Sequence, residues 1–160
     1  MKKQDKTNVV RILEQKKLPH KCYLYGDGEA ISGVEVARIL EQDVDYVFKT
    51  LVTQGASKNY YVFMIPVALE LDLKKAAKAV GEKSVAMIKS KELLPLTGYV
   101  HGGCSPIGMK KQFRTTVHFT ARDFETIFFS AGRIGAQIEM SPSDLEKVVR
   151  LEYADVTISE

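Results

Sequence analysis

Two adjacent strand-forming runs limit the possible folds of this chain more than any other feature. They cover residues 45–53 and 59–67, and the short loop between them contains Gly55. Two such runs with a short connection favour an antiparallel hairpin. The second run includes seven consecutive residues, 60–66, that are apolar without alternation. Because alternation marks a half-exposed strand, we expect this strand to be covered on both faces.

Helix and strand signals continue on both sides of this hairpin. Helices are predicted at 7–17, 33–41, 72–80, 91–94 and 142–150. The signals are the spacing of apolar residues and three sets of end residues: the Ser32-x-x-Glu35 capping box, Asp72 with Gly81, and Ser141-Pro142. Further strands are predicted at 20–25, 84–88, 113–120, 125–130, 136–140 and 153–158, with 113–120 and 125–130 forming a second hairpin. Strands outnumber helices and occur as hairpins. The expected fold class is therefore α+β, with a mixed, barrel-like sheet flanked by helices.

Length and composition are typical of one globular domain. The 160 residues are 45% apolar and 27% charged, which is sufficient for a core of their own, so residues 1–160 are expected to form a single domain. No apolar run reaches the roughly 18–20 residues that a membrane span requires, and the basic N-terminus lacks the apolar segment of a secretory signal. Two cysteines are too few for a disulfide framework. We expect a cytoplasmic protein without a membrane partner.

The net charge of +3 permits contact with a polyanion but does not predict a dedicated nucleic-acid binder, and no DNA partner is expected. The cluster Lys110, Lys111 and Arg114 is compatible either with phosphate contacts or with an ordinary solvated face. The three histidines and two cysteines do not reproduce the spacing of zinc ligands. Neither a metal nor a cofactor is expected.

Lys49 stands out within the first predicted strand. Alternation places it on the same face as Val47 and Leu51. An unpaired buried ammonium is costly, so such a lysine either has a lowered pKa or is held near an anion. Alternatively, this face points outward and the two apolar residues are partly exposed. The sequence leaves both possibilities open.

A glycine-rich stretch, residues 98–111, is called the glycine loop below. It contains four glycines, a Ser-Pro step and two lysines, a composition that favours neither helix nor strand. Gly102 and Gly103 would let a ligand approach the main chain, whose N–H groups could hold a carbonyl oxygen as negative charge develops on it. The alternative is a structural turn. The spacing matches neither a P-loop nor a dinucleotide-binding fingerprint.

Cys104 lies in this loop, three residues after His101, and could be a nucleophile. However, no recognised Cys-His signature surrounds it, and spacing alone does not bring a base to the thiol. We favour the interpretation that Cys104 is a small residue in the wall of a pocket.

Four segments together resemble the YbaK/ProX family of aminoacyl-tRNA editing proteins. In chain order they are Phe48-Lys49-Thr50-Leu51, TGYVHGGCSPIGMKK (97–111), FETIFFSAGRIG (124–135) and SPSDL (141–145). The resemblance covers nearly the whole chain, and the Gly-Gly-x-Ser-Pro-x-Gly pattern is its most specific part. It implies a mixed, barrel-like sheet flanked by helices, in agreement with the reading from the residues.

The resemblance also implies the site residues. The family's site lysine matches Lys49, and a site tyrosine after the first strand matches Tyr25. The remaining substrate-binding positions fall on Gly102, Gly103, Cys104, Ser105, Pro106, Gly108, Gly132 and Arg133. Some relatives carry an aromatic residue where this chain has Ser32. No role of that aromatic is carried over.

The activity implied is deacylation of misacylated Cys-tRNA(Pro) and Cys-tRNA(Cys), of hydrolase or lyase type. The substrate's own thiol is expected to attack its ester, so the enzyme needs no nucleophile of its own. The implied partners are the aminoacylated 3′ end of tRNA and prolyl-tRNA synthetase. Two alternatives remain: a deacylase for Ala-tRNA or Ser-tRNA, and a non-catalytic module that binds aminoacyl-tRNA or a synthetase.

Overall fold

The computed structural model describes residues 6–26 and 31–159, and this part of the chain has an α+β fold. It contains five α-helices and eight β-strands. The helices are α1 (Asn8–Gln15), α2 (Gly33–Ile39), α3 (Leu73–Val80), α4 (Ser90–Thr97) and α5 (Pro142–Leu145). The strands are β1 (Lys21–Leu24), β2 (Phe48–Gly55), β3 (Tyr60–Pro66), β4 (Val85–Met87), β5 (Arg114–His118), β6 (Ile127–Ser130), β7 (Ala136–Met140) and β8 (Leu151–Ala154).

The strands form two sheets. One has five strands in the order β4-β2-β3-β5-β8, with both antiparallel and parallel pairs, and the other has three antiparallel strands in the order β1-β7-β6. In the described part of the chain, one parallel bridge, between Val47 and Phe128, links them. The predicted α+β class with a mixed sheet is confirmed. Within the described residues, both sheets contribute side chains to one core, and the strands do not close into a barrel.

The predicted hairpin is confirmed by β2 and β3, which pair antiparallel with Lys49 opposite Ile65. Strand β2 begins at Phe48 rather than at residue 45, because Val44–Tyr46 form a 3₁₀ turn that Asp43 caps. Strand β3 lies at the centre of the larger sheet. As expected, it is covered on both faces.

The covering of β3 explains its lack of alternation. Val62 and Met64 join the main core, which lies between the two sheets, whereas Phe63 and Ile65 join a second core under α3. Successive side chains of a strand point to opposite faces, so both sets must be apolar here. No helix in the described ranges has the length and apolar character needed to cross a membrane.

The helix starts follow the predicted N-caps, although Glu35 pairs with Arg38 instead of completing the predicted capping box with Ser32. The side chains of Ser32, Asp72 and Ser141 each accept a hydrogen bond from a first-turn N–H group, and Gly81 ends α3 in the left-handed conformation. Helix α5 ends at Leu145 instead of residue 150. These caps are local features, which is why the sequence predicts them well.

The second predicted hairpin, 113–120 with 125–130, is wrong. Strand β5 lies between β3 and β8 and is parallel to both, whereas β6 pairs with β7 in the other sheet. The connection between β5 and β6 forms a 3₁₀ helix at Phe119–Asp123, which carries the chain from one sheet to the other. Both edges of β5 are already occupied, so β6 cannot pair with it.

Candidate active site

A pocket of about 350 Å³ opens where the two sheets separate. The first half of β2 forms one wall, and the start of α2 forms another. The junction of β6 and β7 and the glycine loop complete the lining. The volume lies at the lower end of the range of small-molecule sites.

The pocket runs along the edge of β2. Four consecutive residues, Phe48–Leu51, line it, although one face of a strand presents only alternate side chains. The hydrogen-bond register explains this. Val67 N–H donates to the Val47 carbonyl at 2.8 Å and Gly55 N–H to the Asn59 carbonyl at 2.8 Å, so the odd-numbered residues of β2 direct their main chain toward β3. The even-numbered residues direct theirs toward the pocket side.

Lys49 lies partly buried in this wall. Burial lowers the pKa of its ammonium group, an effect that the exposed Glu70 carboxylate partly offsets. The Lys49 ammonium takes part in no ion pair among the described residues. Val47 on the same face is buried, and Leu51 is partly buried. The geometry thus corresponds to a lysine available to an anionic group in the pocket, rather than to one on an outward face.

Tyr25 lies on the opposite side of the pocket, directly after β1. Its N–H group donates to the Gly135 carbonyl at 2.9 Å, which ties this segment to the turn between β6 and β7. Helix α2 reaches the pocket through its first turn. Gly33 allows this approach, because a Cβ there would lie 2.3 Å from a methyl carbon of Val67.

The glycine loop lines the pocket through His101, Gly102 and Cys104, while Gly103 is buried behind them. Gly103 N–H donates to the Val100 carbonyl at 2.9 Å and is therefore occupied within a turn. No hydrogen bond in the described part of the chain uses the N–H group of Gly102 or Cys104. These two N–H groups are the candidates for holding a carbonyl oxygen.

Gly103 has a packing role. A Cβ at this residue would lie 2.9 Å from the amide nitrogen of Ile134 and 3.0 Å from the carbonyl carbon of Arg133. The glycine loop can therefore rest directly on the main chain of the turn at 132–135. This contact fixes the depth at which Gly102 and Cys104 sit.

The other predicted substrate-binding residues lie around the pocket rather than in its lining. Ser105 and Pro106 are buried, and Ser105 Oγ accepts a hydrogen bond from the Ile107 N–H at 3.2 Å. Gly108 and Gly132 both approach the buried side chain of Tyr99. Arg133 is partly buried and donates to the Ile134 carbonyl at 3.4 Å. Their binding roles stay predictions, whereas their contacts support the loop.

Cys104 forms part of the pocket wall. It is 7% exposed, and burial raises the pKa of its thiol to about 12. A thiol with such a pKa is almost entirely protonated at neutral pH and is a poor nucleophile. The structure thus favours the interpretation of Cys104 as a wall residue.

The predicted site residues do not include five polar residues of the lining: Ser32, Thr50, His101, Ser130 and Gln137. Gln137 is 2% exposed, and its amide exchanges two hydrogen bonds with the amide of Gln42, at 2.7 and 2.9 Å. Ser130 Oγ accepts from the Gly132 N–H at 3.1 Å. No spacing rule distinguishes Thr50, Ser130 or Gln137 in the sequence. Among the described residues, no group of three His, Cys, Asp or Glu side chains could hold a metal ion.

Comparison with known proteins identifies the family. Residues 29–148 match the model of the aminoacyl-tRNA editing domain. Over 160 residues the chain is 44% identical to EbsC, a candidate Cys-tRNA(Pro)/Cys-tRNA(Cys) deacylase of Enterococcus faecalis strain V583, with 99% of this chain and 98% of that protein covered. The chain belongs to the aminoacyl-tRNA editing family.

Solved structures share the editing-domain fold. A candidate trans-editing enzyme for prolyl-tRNA synthetase matches with a TM-score of 0.80 at 21% identity, covering 96% of this chain and 99% of that one. The hypothetical protein APE2540 matches with a TM-score of 0.86 at 22% identity, covering 95% of this chain and all of the other. The two-sheet arrangement of this editing domain is therefore found in other proteins of low sequence identity.

Proposed function

We propose that this editing domain deacylates Cys-tRNA(Pro) and Cys-tRNA(Cys), and that residues 1–160 act as one domain. The observation that carries the proposal is the pocket itself. It combines a partly buried lysine with two N–H groups that no described residue binds, in a chain 44% identical to EbsC along nearly its whole length. The 3′ end of an aminoacyl-tRNA offers matching groups: a phosphate, an ester carbonyl and a small side chain.

The proposed reaction uses the substrate's thiol. Its sulfur forms a bond to the ester carbonyl carbon, the bond from that carbon to the ribose oxygen breaks, and the thiol proton ends on the ribose oxygen. The products are free tRNA and a cyclic thioester of cysteine, which water opens later. The protein then has to fold the aminoacyl group into an attack geometry, which by itself accelerates such reactions strongly.

Each site residue has a physical role in this scheme. The N–H groups of Gly102 and Cys104 hold the carbonyl oxygen as negative charge develops on it. Lys49 supplies a positive charge in a partly buried setting, where electrostatic interactions are stronger than in water. Tyr25 closes the side of the pocket opposite β2. Gly103, Ser105, Pro106, Gly108, Gly132 and Arg133 maintain the shape of the loop and the adjoining turn.

The RNA contact outside the pocket is proposed to involve Lys110 and Lys111, both exposed at the end of the glycine loop. Lys110 extends along Gly98, and its ammonium lies 3.4 Å from the Pro95 carbonyl oxygen. Arg114 is less suited, because its guanidinium pairs with Glu152 at 3.2 Å. Two lysines give weak, sequence-independent contact. Recognition of the tRNA is therefore proposed to depend on prolyl-tRNA synthetase, acting beside this domain in the cytoplasm.

The test is a deacylation panel with Cys-tRNA(Pro), Ala-tRNA(Pro) and Ser-tRNA(Pro) at equal concentrations. We expect kcat/KM to be at least about 100-fold higher for the cysteinyl ester, since alanine has no thiol and a serine hydroxyl is a much weaker nucleophile. Equal or faster turnover of the alanyl or seryl ester would instead identify a water-using deacylase. Binding of all three without turnover would identify a non-catalytic module.

Replacing Cys104 with serine is expected to keep kcat/KM for Cys-tRNA(Pro) within about fivefold of wild type, because the attacking thiol belongs to the substrate and a buried wall residue of similar size remains. Initial deacylation rates measure this, and mass spectrometry of the intact protein monitors covalent adducts. Loss of turnover, together with a cysteinyl adduct that wild type forms at Cys104, would contradict the substrate-thiol scheme.

A further inference from the structure

Two threonine hydroxyl groups are buried without a hydrogen-bond partner, although each residue as a whole is only partly buried. In the described part of the chain, Oγ1 of Thr50 and Oγ1 of Thr120 are the buried side-chain polar atoms without a hydrogen-bond partner. Buried polar atoms in native proteins are nearly always paired, so each exception calls for an explanation. Thr50 lines the pocket, whereas Thr120 does not. Both threonines thus have a buried, unpaired hydroxyl, but only Thr50 lies at the pocket.

The main chain of Thr50 is also directed toward the pocket. In the hydrogen-bond register between β2 and β3, the N–H and carbonyl groups of Thr50 point away from β3. On that outer edge, the Val52 carbonyl accepts from Ile88 N–H at 3.3 Å, and Val47 forms the bridge to Phe128. Between these two contacts no described strand pairs with β2. Thr50 therefore brings an unpaired hydroxyl oxygen, and a peptide group that pairs with no described residue, to the same point of the wall.

The rest of the described lining contains several hydrogen-bond donors and no carboxylate. Lys49 can only donate, and the N–H groups of Gly102 and Cys104 are donors as well. Gln137 Oε1 already accepts from Gln42, and Ser130 Oγ already accepts from Gly132. No Asp or Glu occurs among the described lining residues. The hydroxyl and carbonyl oxygens of Thr50 are two acceptors in the lining without a partner among the described residues, and the Tyr25 hydroxyl and the His101 imidazole are others. Thr50 differs from these two in that its hydroxyl oxygen is buried and unpaired.

An aminoacyl ester carries one group that needs such acceptors, its α-amino group. We propose that Thr50 binds the α-amino group of the aminoacyl moiety through Oγ1 and its carbonyl oxygen, an assignment that rests on the proposed function. The amino group and the CH2SH side chain are both attached to Cα, so fixing the amino group restricts the directions that the thiol can take. Thr50 is in this sense a substrate-binding and orienting residue.

Thr50→Val tests the proposal, with Thr120→Val as its matched control. Both variants replace an unpaired buried hydroxyl by a methyl group, and both are expected to melt at or above the wild-type Tm. Only Thr50→Val is expected to lower kcat/KM for Cys-tRNA(Pro), by about 10- to 100-fold, the usual effect of losing a hydrogen bond to a charged group. Thr50→Ser should recover most of the activity. Wild-type kcat/KM in a folded Thr50→Val would overturn the proposal.

A substrate without the α-amino group tests whether this is the group that Thr50 binds. A 3-mercaptopropionyl ester keeps the thiol and the carbonyl but lacks the amino group. If Thr50 binds that group, Thr50→Val lowers kcat/KM for the cysteinyl ester and leaves that for the mercaptopropionyl ester within about twofold. An equal loss on both esters would refute the assignment to the amino group.

Binding measurements separate this proposal from the proposed function. Cysteinyl and mercaptopropionyl amides of 3′-amino-3′-deoxyadenosine resist deacylation, so their affinities can be compared by calorimetry whether or not the protein is an enzyme. Wild type is expected to bind the cysteinyl amide more tightly than the mercaptopropionyl amide, whereas Thr50→Val is expected to bind the two with equal affinity. If wild type deacylates no ester, the proposed function fails, and this comparison still decides the role of Thr50. If wild type and Thr50→Val prefer the cysteinyl amide over the mercaptopropionyl amide by the same factor, the proposed role of Thr50 is wrong.

Discussion

Replacing Lys49 with alanine is expected to lower kcat/KM for Cys-tRNA(Pro) by about 100- to 1000-fold without loss of folding. Removing a preorganised charge or donor from the reacting centre has effects of this size. The fold should tolerate the change because burial opposes the charge of Lys49, as its lowered pKa indicates. Truncation removes that burial cost along with the charge. Deacylation rates and a thermal melt measure the two effects.

Lys49→Arg and Lys74→Ala complete this experiment. Arginine keeps the positive charge at a higher pKa, so it should recover part of the activity and retain it at alkaline pH, where wild-type Lys49 loses its proton. This alkaline loss is expected below the ordinary lysine pKa of 10.5, because the pKa of Lys49 is lowered. Lys74 is exposed on α3 and does not line the pocket, and its replacement should have no effect. Full activity in Lys49→Ala would contradict the site assignment.

The second large effect is expected at Gly103. An alanine Cβ would lie within 3.0 Å of main-chain atoms of residues 133 and 134, which cannot move aside as a flexible side chain would. Gly103→Ala should therefore separate the glycine loop from the turn and displace Gly102 and Cys104. We expect a destabilisation of about 1–3 kcal/mol and a fall in kcat of about 100-fold, since small displacements at a reacting centre are that costly.

Gly81→Ala is the matched control for this change. Gly81 is in the left-handed conformation at the end of α3, and a Cβ there would meet no atom within 4 Å. Its replacement should cost about 1 kcal/mol through backbone strain and leave kcat unchanged. Denaturant titration and single-turnover deacylation measure stability and chemistry separately. A Gly103→Ala protein that loses stability but keeps its kcat would show that the contact is structural only.

Local signals in the sequence predict much of the fold. The β2–β3 hairpin and the caps at Ser32, Asp72 and Ser141 follow from residues within a few positions of one another. The placement of β5 does not. Its neighbours β3 and β8 are distant in the chain, and parallel pairing leaves no turn signal that would identify them.

The same distinction applies to the candidate site. Lys49 can be predicted because a charge in an apolar strand is visible in the sequence, and the glycine loop can be predicted from its composition. The different environments of Gly102, which is exposed, and Gly103, which is buried, cannot be predicted from the sequence, because they depend on contact with the turn at 132–135. Thr50 is harder still. Thr50 is distinguished by a buried hydroxyl without a hydrogen-bond partner, which only the folded structure reveals. Threonine is common in strands, so the sequence does not mark it.

The wall position of Cys104 has a consequence for thiol–disulfide chemistry. A pocket proposed to receive a cysteinyl group brings a foreign thiol next to a cysteine of the protein, and any oxidised form of either could capture the other as a mixed disulfide. Exchange requires a thiolate, and with the pKa of Cys104 at about 12 only about one molecule in 10⁵ carries it at pH 7. Burial thus protects the domain from covalent trapping by the kind of substrate it is proposed to process.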